Sequence, residues 1–208
     1  MTIPAGVIDL LNLHRRSFFE AEPLATSTGH TVPSDTKSWS QILASLLTNT
    51  KGLARQKGAD LADGSDVKAA NYWKAIDKPR FNGVVRAGRK GAKNESVASL
   101  DTVPFLYFVL WDNVPGGGAE RCRVWAARPK QDACFRGICD KWYRGERISG
   151  NFQLHPPLNT DSNVFRNTCG NLEFPLLFRA DWNGATYVAT VYTPSVLTSG
   201  VCVEHRGG

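Results

Sequence analysis

The chain is poor in the residues from which metal and redox centres are usually built. It has four histidines, one methionine and five cysteines in 208 residues. His14, His30, His155 and His205 fall into no metal-ligand spacing and no nucleophile–base pattern. The cysteines, at 122, 134, 139, 169 and 202, include no Cys-x-x-Cys pair. An odd count at irregular spacing argues against a full disulfide framework. Cys134 and Cys139, five residues apart on a helix, are poorly placed to share a tetrahedral zinc ion. Buried free thiols are the expectation, and the cytoplasm is the compartment that goes with them. No window is long and apolar enough to span a bilayer. The N-terminus, "MTIPAGVIDLLNLHRRSFFE", carries its arginines after the apolar run, the reverse of a secretory signal. Repeats and low-complexity tracts are absent. "PGGGAE" at 115–120 lacks the Lys-Ser/Thr of a phosphate-binding loop and joins two strand-like runs, so its glycines read as a turn.

Positive charge is present, and it is unevenly spread. The net charge is +6, and the segment "KPRFNGVVRAGRKGAK" (78–93) holds Lys78, Arg80, Arg86, Arg89, Lys90 and Lys93 with no acid. This one run equals the whole excess. A solvated loop and a nucleic-acid contact both fit it. For DNA, Arg80 and Asn82 have side chains suited to bidentate base reading, and Arg86, Arg89, Lys90 and Lys93 suit phosphates.

Hydrophobic periodicity gives the element order. Residues 5–20 read as a helix with Val7, Leu10, Leu11 and Phe18 on one side, followed by a breaker-rich loop, "EPLATSTGHTVP". "SDTKSWSQILASLLTNTKG" is the strongest helix. Ser34 or Asp35 can cap it, Trp39, Ile42, Leu43, Leu46 and Leu47 follow its apolar stripe, and Gly52 is the expected stop. Short strands are expected at 59–62 and 65–70 about an Asp63-Gly64 turn. The run 101–112 is nearly continuously apolar, as for a strand covered on both faces, and 121–129 reads as its neighbour. A helix over 130–144, a strand near "NFQLHPP" and a β-rich tail from about 160 complete an α+β or mixed α/β chain.

Within that order, "ADLADGSDVK" (59–68) concentrates acids and a lysine. Alternation puts Asp66 and Lys68 on the same face of their strand. Asp60 joins them only if the loop is Ala62-Asp63-Gly64, with Gly64 left-handed and Leu61 opposite Ser65; a two-residue loop sends it to the other face. Two opposed carboxylates repel, and a hard divalent cation such as Mg²⁺ between them would remove the repulsion. Lys68 beside the ion could hold or deprotonate a water, or stabilise charge growing on a phosphoryl oxygen. An exposed hairpin in which Lys68 screens two acids has the same spacing. Asp63 is the rival first acid, on the wrong face unless it caps the turn. Asn71 and Trp73 follow directly, Trp73 being expected in the core.

These residues resemble the PD-(D/E)xK nuclease superfamily, with Ala59-Asp60 where the family has Pro-Asp and Asp66-Val67-Lys68 matching acid-x-Lys. The longer string "GADLADGSDVKAANYWKAID…RFNGV" is similar to type II restriction endonucleases of the MamI-like group. Alanine in place of proline and the short separation of Asp60 from Asp66 depart from the pattern. The resemblance implies a restriction-endonuclease-like core, a central mixed sheet flanked by helices, with a β-rich C-terminal extension. It divides a single nuclease domain into an N-terminal helix and loop (1–33), a catalytic core (34–155) and that extension (156–208). It further implies Mg²⁺ held by Asp60, Asp66 and the Val67 carbonyl, with Lys68 activating the water. Double-stranded DNA is the implied substrate, cleaved to leave 5′-phosphates, and a homodimer suits a palindromic target. A further helical acid, Glu20 or Glu22, fits the same pattern. A repair or junction nuclease of the superfamily and a non-catalytic DNA-binding protein are the competing readings.

Overall fold

A computed structural model describes residues 2–53, 58–75, 77–85, 97–144 and 152–205. Its frame is a five-stranded mixed sheet in the order β1 (Asp66–Asn71), β3 (Leu106–Asn113), β4 (Glu120–Ala127), β8 (Leu176–Trp182) and β9 (Tyr187–Tyr192). Strands β1 and β3 are parallel, Asp66 opposite Leu106 and Lys68 opposite Phe108, and the other pairings are antiparallel. The β-rich C-terminal stretch thus contributes the last two strands of the central sheet. Smaller pairings hold β2 (Phe81–Asn82) to β5 (Gln153–Leu154), and β6 (Val164–Phe165) to β7 (Leu172–Glu173) to β10 (Val203–Glu204).

Strand β3 explains why its sequence is apolar without alternation. Tyr107, Val109 and Trp111 face one core with Val67 of β1. Leu106, Phe108 and Leu110 face the other with Ala70. Helices α1 (Val7–Ser27) and α2 (Lys37–Thr48) cover the first face through Val7, Leu11, Phe18, Leu43, Ala44 and Leu47. Helix α3 (Ala133–Arg144), a 3₁₀ turn (Val97–Leu100) and the small sheets cover the second. A short α4 (Val196–Ser199) follows β9. No helix among the described residues is long and apolar enough to cross a membrane.

Several boundaries differ from the sequence reading. Helix α1 continues through Pro23 to Ser27, because the proline removes a single N–H while Phe18 and Ala25, on either side of it, are both buried. Helix α2 ends at Asn49, left-handed with φ 53°, rather than at Gly52. Its N-terminus receives Asp35 Oδ1 on the Lys37 N–H at 2.9 Å. Ile42 is exposed, and Ser40 takes a buried place instead, accepting a hydrogen bond from Trp111 Nε1 at 3.1 Å. The segment 59–62 is not a strand. Leu61 makes only an isolated bridge to Gly52, and the ladder partner of β1 is β3. All five cysteines are free, with Cys122, Cys139 and Cys202 buried.

His14 on α1 lies inside a cage of tryptophans, its ring centroid 4.1 Å from Trp111, 5.1 Å from Trp39 and 5.3 Å from Trp73. Its Nδ1 has no hydrogen-bond partner, and burial pulls its pKa down to about 4. The unfolded chain therefore takes up a proton near pH 6.5 that the folded chain refuses until about pH 4. Stability from this group is fully present above pH 6.5 and is lost as pH falls toward 4, by up to on the order of 3 kcal/mol. Urea midpoints at pH 7.5 and 4.5 measure the loss. In H14F the loss is smaller by that amount; an identical pH response in H14F would refute the assignment.

Candidate active site

The loop preceding β1 is built by one carbonyl. Ser65 O accepts the N–H groups of both Asp60, at 3.0 Å, and Leu61, at 3.1 Å, while the Gly64 N–H returns to Leu61 O at 3.0 Å. This is the longer of the two loops the sequence allows. Gly64 has φ +95°, a backbone conformation that disfavours any residue with a Cβ, and it lies beside Thr102 and Pro104. Asp63 caps the turn, with Oδ1 accepting the Ser65 N–H and Oδ2 the Ser65 hydroxyl, both at 2.9 Å. It is thereby committed to the loop.

The loop brings Asp60 to the outer rim of β1. Asp60 Oδ2 accepts the Val67 N–H at 2.9 Å, and the Asp60 carboxyl lies within hydrogen-bonding reach of Asp66. Lys68 Nζ is 2.6 Å from Asp66 Oδ2, and both side chains keep about a fifth of their surface exposed (20% and 22%). Burial pushes the Asp66 carboxyl above its usual range, Asp60 beside it pushes the same way, and Lys68 opposes them. Because Asp66 N–H bonds inward to Phe105 O, the alternation of a parallel ladder turns the Val67 N–H and carbonyl outward, toward Asp60. Two carboxylates and a backbone carbonyl therefore share one rim, flanked by an ammonium group.

Hard oxygens of this kind suit Mg²⁺, which keeps most of its water and needs one or two carboxylates from the protein. Among the described residues no group of three or more His, Cys, Asp and Glu side chains forms a ligand set. Glu22 is paired with Lys74 at 2.9 Å, and Glu20 is exposed on α1.

Lys68 also forms part of the wall of a cleft of about 660 Å³ between the N-terminal end of α2 and the segment 77–82. Lys37, Lys74, Lys78 and Arg80 add to its positive charge against Asp35 and Asp77, and Asn71 and Asn82 supply amides. Arg80 and Asn82 are exposed on this wall, next to the pairing of β2 with β5. Arg86, Arg89, Lys90 and Lys93 lie outside the described residues. Trp73 is in the core, its Nε1 donating to Asp112 O at 2.9 Å.

Sequence reasoning missed Gln41. From α2 its Nε2 donates to Asp60 Oδ1 at 2.5 Å. The available signal was a seam of uncharged polar residues, Ser38, Gln41 and Ser45, running beside the apolar stripe and lining a depression with Asp60.

Comparison with known proteins bears on the same segment. The model of the family described as MamI restriction endonuclease matches residues 23–188, which includes β1, the cleft and four of the five central strands in full. The chain belongs to the MamI restriction endonuclease family. One curated relative, the "Type II restriction enzyme MamI" of Microbacterium ammoniaphilum, is 34% identical over 163 residues, covering 72% of this chain and 52% of its own length. The chain thus spans about half the length of that MamI relative. No solved structure matches.

Proposed function

We propose that this chain is a type II restriction endonuclease that hydrolyses phosphodiester bonds of double-stranded DNA at a specific sequence, with Mg²⁺, leaving 5′-phosphates. The observation that carries the reading is the convergence of Asp60, Asp66 and Lys68 beside a cationic cleft in a chain of the MamI family. Asp60, Asp66 and the Val67 carbonyl would hold the ion. Bound there, Mg²⁺ supplies Lewis-acid polarisation of the scissile phosphate and a more acidic water. Lys68 positions that water or meets the charge growing on the phosphoryl oxygens. Arg80 and Asn82 face the duplex from the cleft wall, and Arg86, Arg89, Lys90 and Lys93 contact phosphates. The chain acts as one nuclease domain in the cytoplasm, and as a homodimer on a palindromic target.

Incubating the purified chain with supercoiled plasmid, in Mg²⁺ and in EDTA, tests the proposal. Discrete fragments only with Mg²⁺ are expected. A metal-dependent smear would instead favour a repair-type nuclease, and DNA that is bound but never cut would favour a binding module.

A further inference from the structure

Asp60 belongs to no strand. Its backbone is tied by Asp60 N–H to Ser65 O at 3.0 Å and by the Leu53 N–H to Asp60 O at 2.9 Å, and neither bond fixes the direction of its carboxylate. That direction is set by two donors from different elements, the Val67 N–H of β1 on Oδ2 and the Gln41 amide of α2 on Oδ1. Both donors are neutral, so they aim the carboxylate without cancelling the charge a cation requires. A lysine or arginine in place of Gln41 would compete with the ion. Each carboxylate oxygen has a second lone pair left for a cation.

We propose that Gln41 is a positioning residue that holds Asp60 toward Asp66 and so sets the affinity of the site for its divalent cation. The inference rests on the nuclease reading of Asp60 and Asp66 given above. It links α2, which packs its apolar stripe on one face of β1, to the Asp66–Lys68 pair on the other face, through a contact over the strand's open rim. Partners that orient a metal ligand are typically worth about 10- to 100-fold in metal affinity.

The test titrates Mn²⁺ into the DNA-free full chain, counting free ion by electron paramagnetic resonance, for wild type, Q41A, the near-isosteric Q41M and D66A. Plasmid cleavage is followed in parallel across a range of Mg²⁺ concentrations. Q41A and Q41M are expected to weaken Mn²⁺ binding by about tenfold and to raise the Mg²⁺ needed for half-maximal cleavage similarly. The rate at saturating Mg²⁺ and the melting temperature in EDTA should stay near wild type. A residue that only filled space would move the melting temperature and leave the ion affinity alone. Wild-type Mn²⁺ affinity in both Gln41 variants, with D66A impaired, would overturn the role of Gln41 and leave the site reading standing. Undiminished Mn²⁺ binding in D66A would overturn both.

Discussion

Replacing Lys68 or Asp66 by alanine is expected to slow DNA cleavage severely while leaving the protein folded and still able to bind DNA. For Lys68, loss of a preorganised cation at developing charge corresponds to a rate lower by roughly 10²- to 10³-fold. Asp66 is expected to cost at least as much, because Asp60 is then the sole carboxylate left on the rim for the proposed ion. Neither change should unfold the chain. The two side chains are partly exposed, and β1 keeps its full ladder with β3. DNA affinity should fall only a few-fold for K68A, since Lys37, Lys74, Lys78 and Arg80 still line the cleft. Single-turnover cleavage and a binding assay in Ca²⁺ separate the two quantities. Undiminished cutting by either variant would end the catalytic assignment.

The second large effect concerns stability. Asp112, at the end of β3, is fully buried between Arg121 and Arg123 of β4, themselves buried. Arg121 grips both carboxylate oxygens, at 3.0 and 2.7 Å, and Arg123 reaches Oδ2 at 2.9 Å. The arginines also donate to the carbonyls of Thr160 and Ser162, stitching that loop across the sheet. Burial lowers the Arg123 pKa to about 10, with Asp112 the main opposing influence. Asp112→Ala leaves buried Arg123 without its carboxylate partner and leaves Arg121 with Asp161 alone, at 3.1 Å, and a loss of about 3–5 kcal/mol is expected, or roughly 10 °C in melting temperature. Arg179→Ala, at the exposed margin of the same network beside Asp161 and Asp181, should cost under about 1 kcal/mol. Equal melting temperatures for wild type and D112A would refute this account.

How much of this the sequence carries depends on the residue. Asp66 and Lys68 were legible as a pair, because two-residue alternation leaves no choice of face. Strand β3 was legible because a run apolar at every position has to be covered on both sides. Asp60 was undecided between two loop lengths. The folded chain takes the longer one, with Gly64 left-handed at φ +95° and lying beside Thr102 and Pro104, neighbours far off in the chain. The parallel pairing of β1 with β3 was hidden for the same reason, since Asp63-Gly64 is a strong local hairpin signal and the true partner lies beyond a long crossover. Helix α1 passing through Pro23 shows tertiary packing overriding a local breaker. The polar seam holding Gln41 was visible, but its significance depends on Asp60 arriving beside it. The burial of Arg121 and Arg123 was not legible, because it depends on Asp112 and the 157–162 loop meeting them in space.

The place of β1 at the margin of the sheet has a wider consequence. The interior strands of the central sheet are paired on both sides, whereas the groups proposed to react sit on its edge strand. Mutational drift in recognition or metal preference can therefore accumulate along that border at small cost to foldability, so that diversification of target and persistence of the scaffold are largely separate problems for such a chain.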